Sequence, residues 1–162
     1  MRTRLKRWIS TFLTLIIMIG TFVPALAVSK HDQVVAFVTR CYELTLNRKP
    51  DESGLNSWVS ALEKGEACGG SVAAGFVFSQ EFMNSGIDDS TYVEILYQLF
   101  LGHNSDEAGK NSWLEAMRLG ASREAIFAGF ANSREFYGIC SSYGIYAGTY
   151  IQGSTITRNA QI

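Results

Sequence analysis

The sequence has only two histidines, His31 and His103, and no grouping of His, Cys, Asp and Glu at metal-ligand spacing. No strand-borne nucleophile turn and no phosphate-cradling glycine loop is present either. These absences leave no metal centre, no nucleotide site and no histidine-activated nucleophile to argue from. Cys68 in Cys68-Gly69-Gly70 precedes a helical pattern, where a thiolate is stabilised, but no histidine is placed to serve it. No alternating apolar–polar run reads as a strand before residue 143. Cysteine is sparse, with Cys41, Cys68 and Cys140 only.

The first 27 residues are of another kind. Arg2, Arg4, Lys6 and Arg7 precede an uncharged apolar run from Trp8 to Val23, and Pro24 breaks it before Ala25-Leu26-Ala27. This is the order of a cleavable secretory signal peptide. The run is shorter than the roughly 20 residues of a spanning helix. The expected mature chain starts near Val28 and is secreted and extracellular, either free or associated with the cell surface. Four of the 14 basic residues leave with the leader, so ten remain against 15 acidic ones. That balance argues against nucleic acid and anionic membranes as partners. Three cysteines reaching an oxidising space suggest pairing, with one left over. Cys41–Cys140 would tie the first helix to the tail; Cys68–Cys140 is the alternative.

The rest of the chain is a duplication. Tyr42, Asp51, Gly54, Asn56, Ser57, Trp58, Ala61 and Gly65 recur 55 residues on as Tyr97, Asp106, Gly109, Asn111, Ser112, Trp113, Ala116 and Gly120. Gly75, Phe76, Ser79, Glu81 and Phe82 recur 54 residues on as Gly129, Phe130, Ser133, Glu135 and Phe136. The first copy therefore has one extra residue between Gly65 and Gly75, beside Cys68.

Helical spacing predicts three helices in each unit. The first spans about Asp32 to Leu46, and its twin is opened by a Thr91/Glu94 capping box. Asp51 and Asp106 are placed to cap the second helix, which Gly65 and Gly120 end. Gly75 and Gly129 fall inside the third, where glycine costs about 1 kcal/mol against alanine, which suggests close helix–helix approach. The expected fold is all-α: two tandem three-helix units, about 32–86 and 87–140, packed as one domain over 28–145. An irregular tail, 146–162, follows.

The string Leu46-Asn47-Arg48-x-Pro50-Asp51-x-x-Gly54-Leu55-x-x-Trp58, then Gly75-Phe76-x-x-Ser79-x-Glu81-Phe82, resembles the bacterial family catalogued as domain of unknown function 4214. The second unit matches through Leu101-Gly102, Asp106, Gly109, Trp113 and Gly129 to Phe136. Asn47 stands where the family has glycine, and His103 where it has arginine. The resemblance implies an accessory helical module of secreted or surface-attached bacterial proteins, with no known reaction.

Each motif residue also has a plain structural reading. Trp58 and Trp113 are sugar-stacking platforms or core residues, and their place on an apolar stripe favours the core. Asp51 and Asp106 are calcium ligands or caps, and their loops are too sparse in oxygen for calcium. Glu81 and Glu135 are paired acids of a hydrolase or structural ion-pair partners, Glu81 with Arg48 for instance. The His103 substitution would weaken the matching pair with Glu135 near neutral pH. The tyrosines Tyr137, Tyr143, Tyr146 and Tyr150 are least explained by a helical stripe. Of these, Tyr143, Tyr146 and Tyr150 in the tail are the binding candidates.

The expectation is a secreted non-enzymatic module, with no cofactor, no metal and no membrane span once the leader is removed. Its partner would be a cell-surface component, a glycan or an exported protein. The alternative is a small secreted hydrolase acting on cell wall or polysaccharide through carboxylates.

Overall fold

In the computed structural model, helices start wherever a short polar side chain can close the free N–H groups of a first turn. Ser29 opens α1 (Lys30–Leu46) and accepts from Asp32 N at 3.0 Å, with Asp32 returning the contact. Asp51 opens α2 (Glu52–Glu63) by accepting from Gly54 N at 2.9 Å. Cys68 precedes α3 (Gly69–Val77), and Ser79 opens the short α4 (Gln80–Met83). The second unit repeats the series. Asp88 opens α5 (Asp89–Leu96), which continues as a π-helical turn, Tyr97–Leu101. Asp106 opens α6 (Glu107–Arg118), Ser122 opens α7 (Arg123–Ala131) and Ser133 opens α8 (Arg134–Tyr143). Residues 28–153 are described; residues 1–27, read above as a leader, and the last part of the tail, 154–162, lie outside them. No strand forms among the described residues, and none of their helices is long and apolar enough to cross a membrane.

Two sequence expectations change here. Each unit has a fourth helical segment, because Ser79 and Ser133 do not close the third helix. Their hydroxyls accept from Phe82 N and Phe136 N and start a new one. Glu81 and Glu135 therefore lie in first turns, where a carboxylate suits the helix dipole. The cap of α5 is Asp88, which accepts from Thr91 N at 2.7 Å, so the Thr91/Glu94 box does not form. Asn47, the departure from the family's glycine, has φ +48°, and its counterpart Gly102 has φ +74°. Both end their helices in the left-handed region, which glycine and asparagine enter most readily.

Glu94 has a different use. It accepts from the Ser105 hydroxyl at 2.5 Å and the Ser105 amide at 3.1 Å, and pairs with Lys110 at 3.3 Å. These contacts pin the loop before α6. At the matching places the first unit has Thr39, Pro50 and Leu55, so this polar network belongs to the second unit alone. The Ser105 hydroxyl, with its amide and Lys110, holds the Glu94 carboxyl below its ordinary value of 4.5. A lowered folded-state value means this contribution is full above 4.5 and is lost as pH falls through the folded value. Glu94→Gln is expected to destabilise by about 1–2 kcal/mol at neutral pH. In urea titrations the gap between variant and parent should close as pH drops below 4.5; a gap constant with pH would show that charge plays no part.

One apolar cluster runs through both units. Phe37 of α1, Phe100 of the π-helical turn, and Phe127 and Phe136 of α7 and α8 are all almost fully buried. Phe100 meets Phe136 edge-on at 4.7 Å and Phe127 at 5.2 Å; Phe37 meets Phe136 at 6.1 Å. The first helix of one unit thus packs on the last helix of the other, and the interface between units is continuous core rather than a polar cleft.

The residues after α8 belong to that core. Ile145, Ala147 and Tyr150 are buried. Gly69 N and Gly70 N, the first amides of α3, donate to the carbonyls of Tyr146 and Ala147 at 2.7 and 2.8 Å. The tail expected to be irregular is irregular in backbone, but up to Tyr150 it caps a helix of the other unit.

Candidate ligand cleft

The repeated motif proves to be scaffold. Asp51 and Asp106 cap, as above. Gly54 and Gly109 leave room for the hydroxyls of Tyr42 and Tyr97: a Cβ on Gly54 would stand 2.5 Å from Tyr42 Oη, and one on Gly109 would overlap Tyr97 Oη. Tyr, Asp and Gly recur together because they form one junction between the first and second helices. Tyr42 and Tyr97 also meet Phe76 and Phe130 edge-on at 4.7 and 4.9 Å. Trp58 and Trp113 are half-buried, 6.0 and 5.1 Å from the same two rings. Phe82 and Phe136 are buried.

The ion pair expected in the first unit does not form. Arg48 lies over the Tyr42 ring, 5.1 Å from its centroid, instead of meeting Glu81. The pair occurs in the second unit, where His103 Nε2 lies 3.1 Å from Glu135 and Nδ1 lies 2.8 Å from the Asn104 carbonyl. Those two acceptors, the Asn104 carbonyl first, raise the His103 imidazole above its ordinary value. Both partners are half-exposed, so the pair contributes little to stability.

The cleft lies on the outer side of α8. Gly144, at φ +78°, ends that helix and turns the chain back along it. Ile145 N then donates to the Cys140 carbonyl at 3.0 Å. Asn132 grips the returning segment twice: its amide donates to the Tyr150 carbonyl, and its oxygen accepts from Tyr150 N, both at 2.8 Å. Glu124 accepts from the Tyr150 hydroxyl at 2.7 Å and from Gly153 N at 2.8 Å. Gly153 N, with Tyr150, holds Glu124 below the usual carboxylate range.

Between α8 and this strap is a cleft of about 350 Å³, bordered by Tyr137, Ser141, Tyr146 and Thr149. A second hollow, about 340 Å³, shares Tyr137 and Thr149 and adds Asn132, Ser133 and Arg134. Tyr137 and Tyr146 are 44% and 50% exposed, far more than the motif aromatics. The two hollows form a trough with aromatic rings, hydroxyls and one guanidinium on its borders.

Of the three tyrosine candidates, only Tyr146 is well exposed at the cleft. Tyr150 is 8% exposed, and burial followed by its bond to Glu124 pushes its phenol up to about 12, so it is a structural anchor. Tyr143 packs half-buried against the core. Asn132 and Glu124 were not anticipated. The one local sign was that Asn132 occupies the place of Phe78, where strict repetition would set an apolar residue. Cys41, Cys68 and Cys140 are all buried free thiols, so neither expected bridge is present. Among the described residues no group of His, Cys, Asp and Glu could hold a metal ion.

No curated protein and no solved structure matches this chain. A family model does, twice and with overlap, at residues 27–86 and 73–140. The matched span takes in α1 to α7, most of α8 and both copies of the motif, and the chain belongs to the family described as Domain of unknown function (DUF4214).

Proposed function

We propose that this protein is an exported, non-enzymatic binding module whose ligand is a glycan of the cell surface, held in the trough beside Tyr146. The observation that carries the reading is the pair of half-exposed tyrosines, Tyr137 and Tyr146, on a cleft of about 350 Å³ that Ser141 and Thr149 also line. A sugar ring offers an apolar C–H face to an aromatic ring and hydroxyls to polar neighbours, so this mixture suits it. The size falls within the roughly 300–1,000 Å³ of small-ligand sites. The leader at 1–27 supports export, and export would put the ligand outside the cytoplasm.

The recurring carboxylates favour binding over hydrolysis. Glu135 is engaged by His103, Glu81 faces solvent on α4, and neither borders the trough. A hydrolase of the two-carboxylate kind needs both acids on one substrate.

The test is retention of the mature chain on purified cell-wall material and on a glycan array. Tyr146→Ala should weaken retention about tenfold, the equivalent of ~1.4 kcal/mol, with an unchanged melting temperature. Retention that ignores Tyr146→Ala would move the site elsewhere; no retention on any surface component would sink the reading.

A further inference from the structure

We propose that Cys68 and Cys140, free thiols in this structure, join on oxidation in a disulfide that fastens α8 and the strap behind it to the start of α3, with Cys41 remaining a buried thiol. The first turn of α3 packs on Cys140. A Cβ built on Gly69 would stand 3.0 Å from Cys140 Sγ, so Cys140 rests on the residue next to Cys68. Both cysteines are buried, at 2% and 1% exposure. The backbone around them is already tied: Gly69 N donates to the Tyr146 carbonyl, and Ile145 N to the Cys140 carbonyl.

Capping does not account for a cysteine at 68. Its counterpart in the second unit is Ser122, whose hydroxyl accepts from Ala125 N at 3.1 Å. A thiol is a poor acceptor. At α3 the turn is closed by Ser71, which bonds the Cys68 amide and carbonyl at 3.0 and 2.7 Å, and by the two strap carbonyls. Cys68 thus replaces a working cap at the one place where the other unit brings a thiol. Cys41, on α1, has Arg40 as its charged neighbour, whereas Cys140 lies within electrostatic reach of Cys68.

Burial pushes the Cys140 thiol up to about 12, so in the closed protein it is a weak nucleophile. The bond therefore forms while α8 is still undocked, by exchange with a small-molecule disulfide. One thiolate attacks the donor and releases one donor thiol. The second protein thiolate then displaces the other. Two protein protons are lost and the donor is reduced to two thiols.

The experiment is refolding of the mature chain in oxidised and reduced glutathione, alkylation, and peptide mapping. The expected product is monomeric, carries one alkylated cysteine at position 41 and contains a 68–140 cross-linked peptide. Its melting point should drop by about 10 °C on reduction. Cys41→Ser should keep the bond. Cys68→Ser restores the Ser122-type cap, so it should fold, leave two thiols to alkylate and lose the response to reductant. Three free thiols after oxidative refolding, a bridge from Cys41, or a disulfide dimer would each overturn the proposal. The assay reads no ligand, so its outcome is separate from that of the glycan reading.

Discussion

Phe100→Ala is expected to destabilise the protein by about 3–5 kcal/mol and to do so for both units at once. The ring is fully buried and touches Phe127, Phe130 and Phe136, while Phe136 in turn meets Phe37 of α1. Truncation removes the burial of a large apolar side chain and leaves a cavity that rigid neighbouring rings cannot collapse into. The position has no counterweight in the first unit, where Thr45 takes the matching place and bonds the Cys41 carbonyl. Residues 28–162 hold one tryptophan in each unit, Trp58 and Trp113. Trp58→Phe and Trp113→Phe backgrounds then report each half separately in a urea titration. Coincident midpoints, both lowered by Phe100→Ala, are the expected result. A shift confined to Trp113 would show that the shared cluster does not couple the units.

The second large effect is a difference in sign between two matching glycines. Gly129→Ala is expected to destabilise by about 1–3 kcal/mol, whereas Gly75→Ala should stabilise by up to about 1 kcal/mol. A Cβ on Gly129 would stand 2.6 Å from Cη2 of Trp113, and that indole is backed by Phe130 at 5.1 Å. At Gly75 nothing lies within 4 Å, so the methyl enters open space and only the better helix propensity of alanine remains. The repeat had suggested close approach at both sites; the structure finds it at one. Thermal melts of the two variants decide the matter. Two variants moving in the same direction would mean that the Trp113 contact relaxes freely or that α3 resists the added methyl.

These glycines also show what was legible in the sequence. Spacings of three or four residues carry their meaning locally. Asp51 to Gly54 and Asp106 to Gly109 could be read as caps because donor and acceptor lie in one turn, and the apolar stripes of α1 and α2 could be read because helical period sorts them. The second occurrence of each signal made the duplication plain. The separate helix that opens at Ser79-x-Glu81-Phe82 was not legible, because a cap residue can end one helix or begin the next, and only the chain direction after Phe78 separates the two. Contacts across long separations left little trace. Nothing near Gly69 announces that carbonyls of Tyr146 and Ala147 will accept its bonds and those of Gly70, and nothing near Tyr150 names Asn132. The trough inherits this, since the strap bordering it is held by those contacts. The sequence could nominate tail tyrosines as a group; burial had to separate Tyr146 from Tyr150.

The docking of the strap on α3 bears on the order in which the molecule can be completed. A chain that emerges from its N-terminal end presents α3 long before residues 146 and 147 exist, and until then the first amides of that helix have no permanent acceptor. Phe100, at the centre of the shared ring cluster, also comes after the whole first unit. The leading half is therefore kept from settling into a finished globule while it is being made. Under the export proposed above, through a pore that accepts only unfolded chain, a fold whose late-made residues complete its first-made half is a built-in delay.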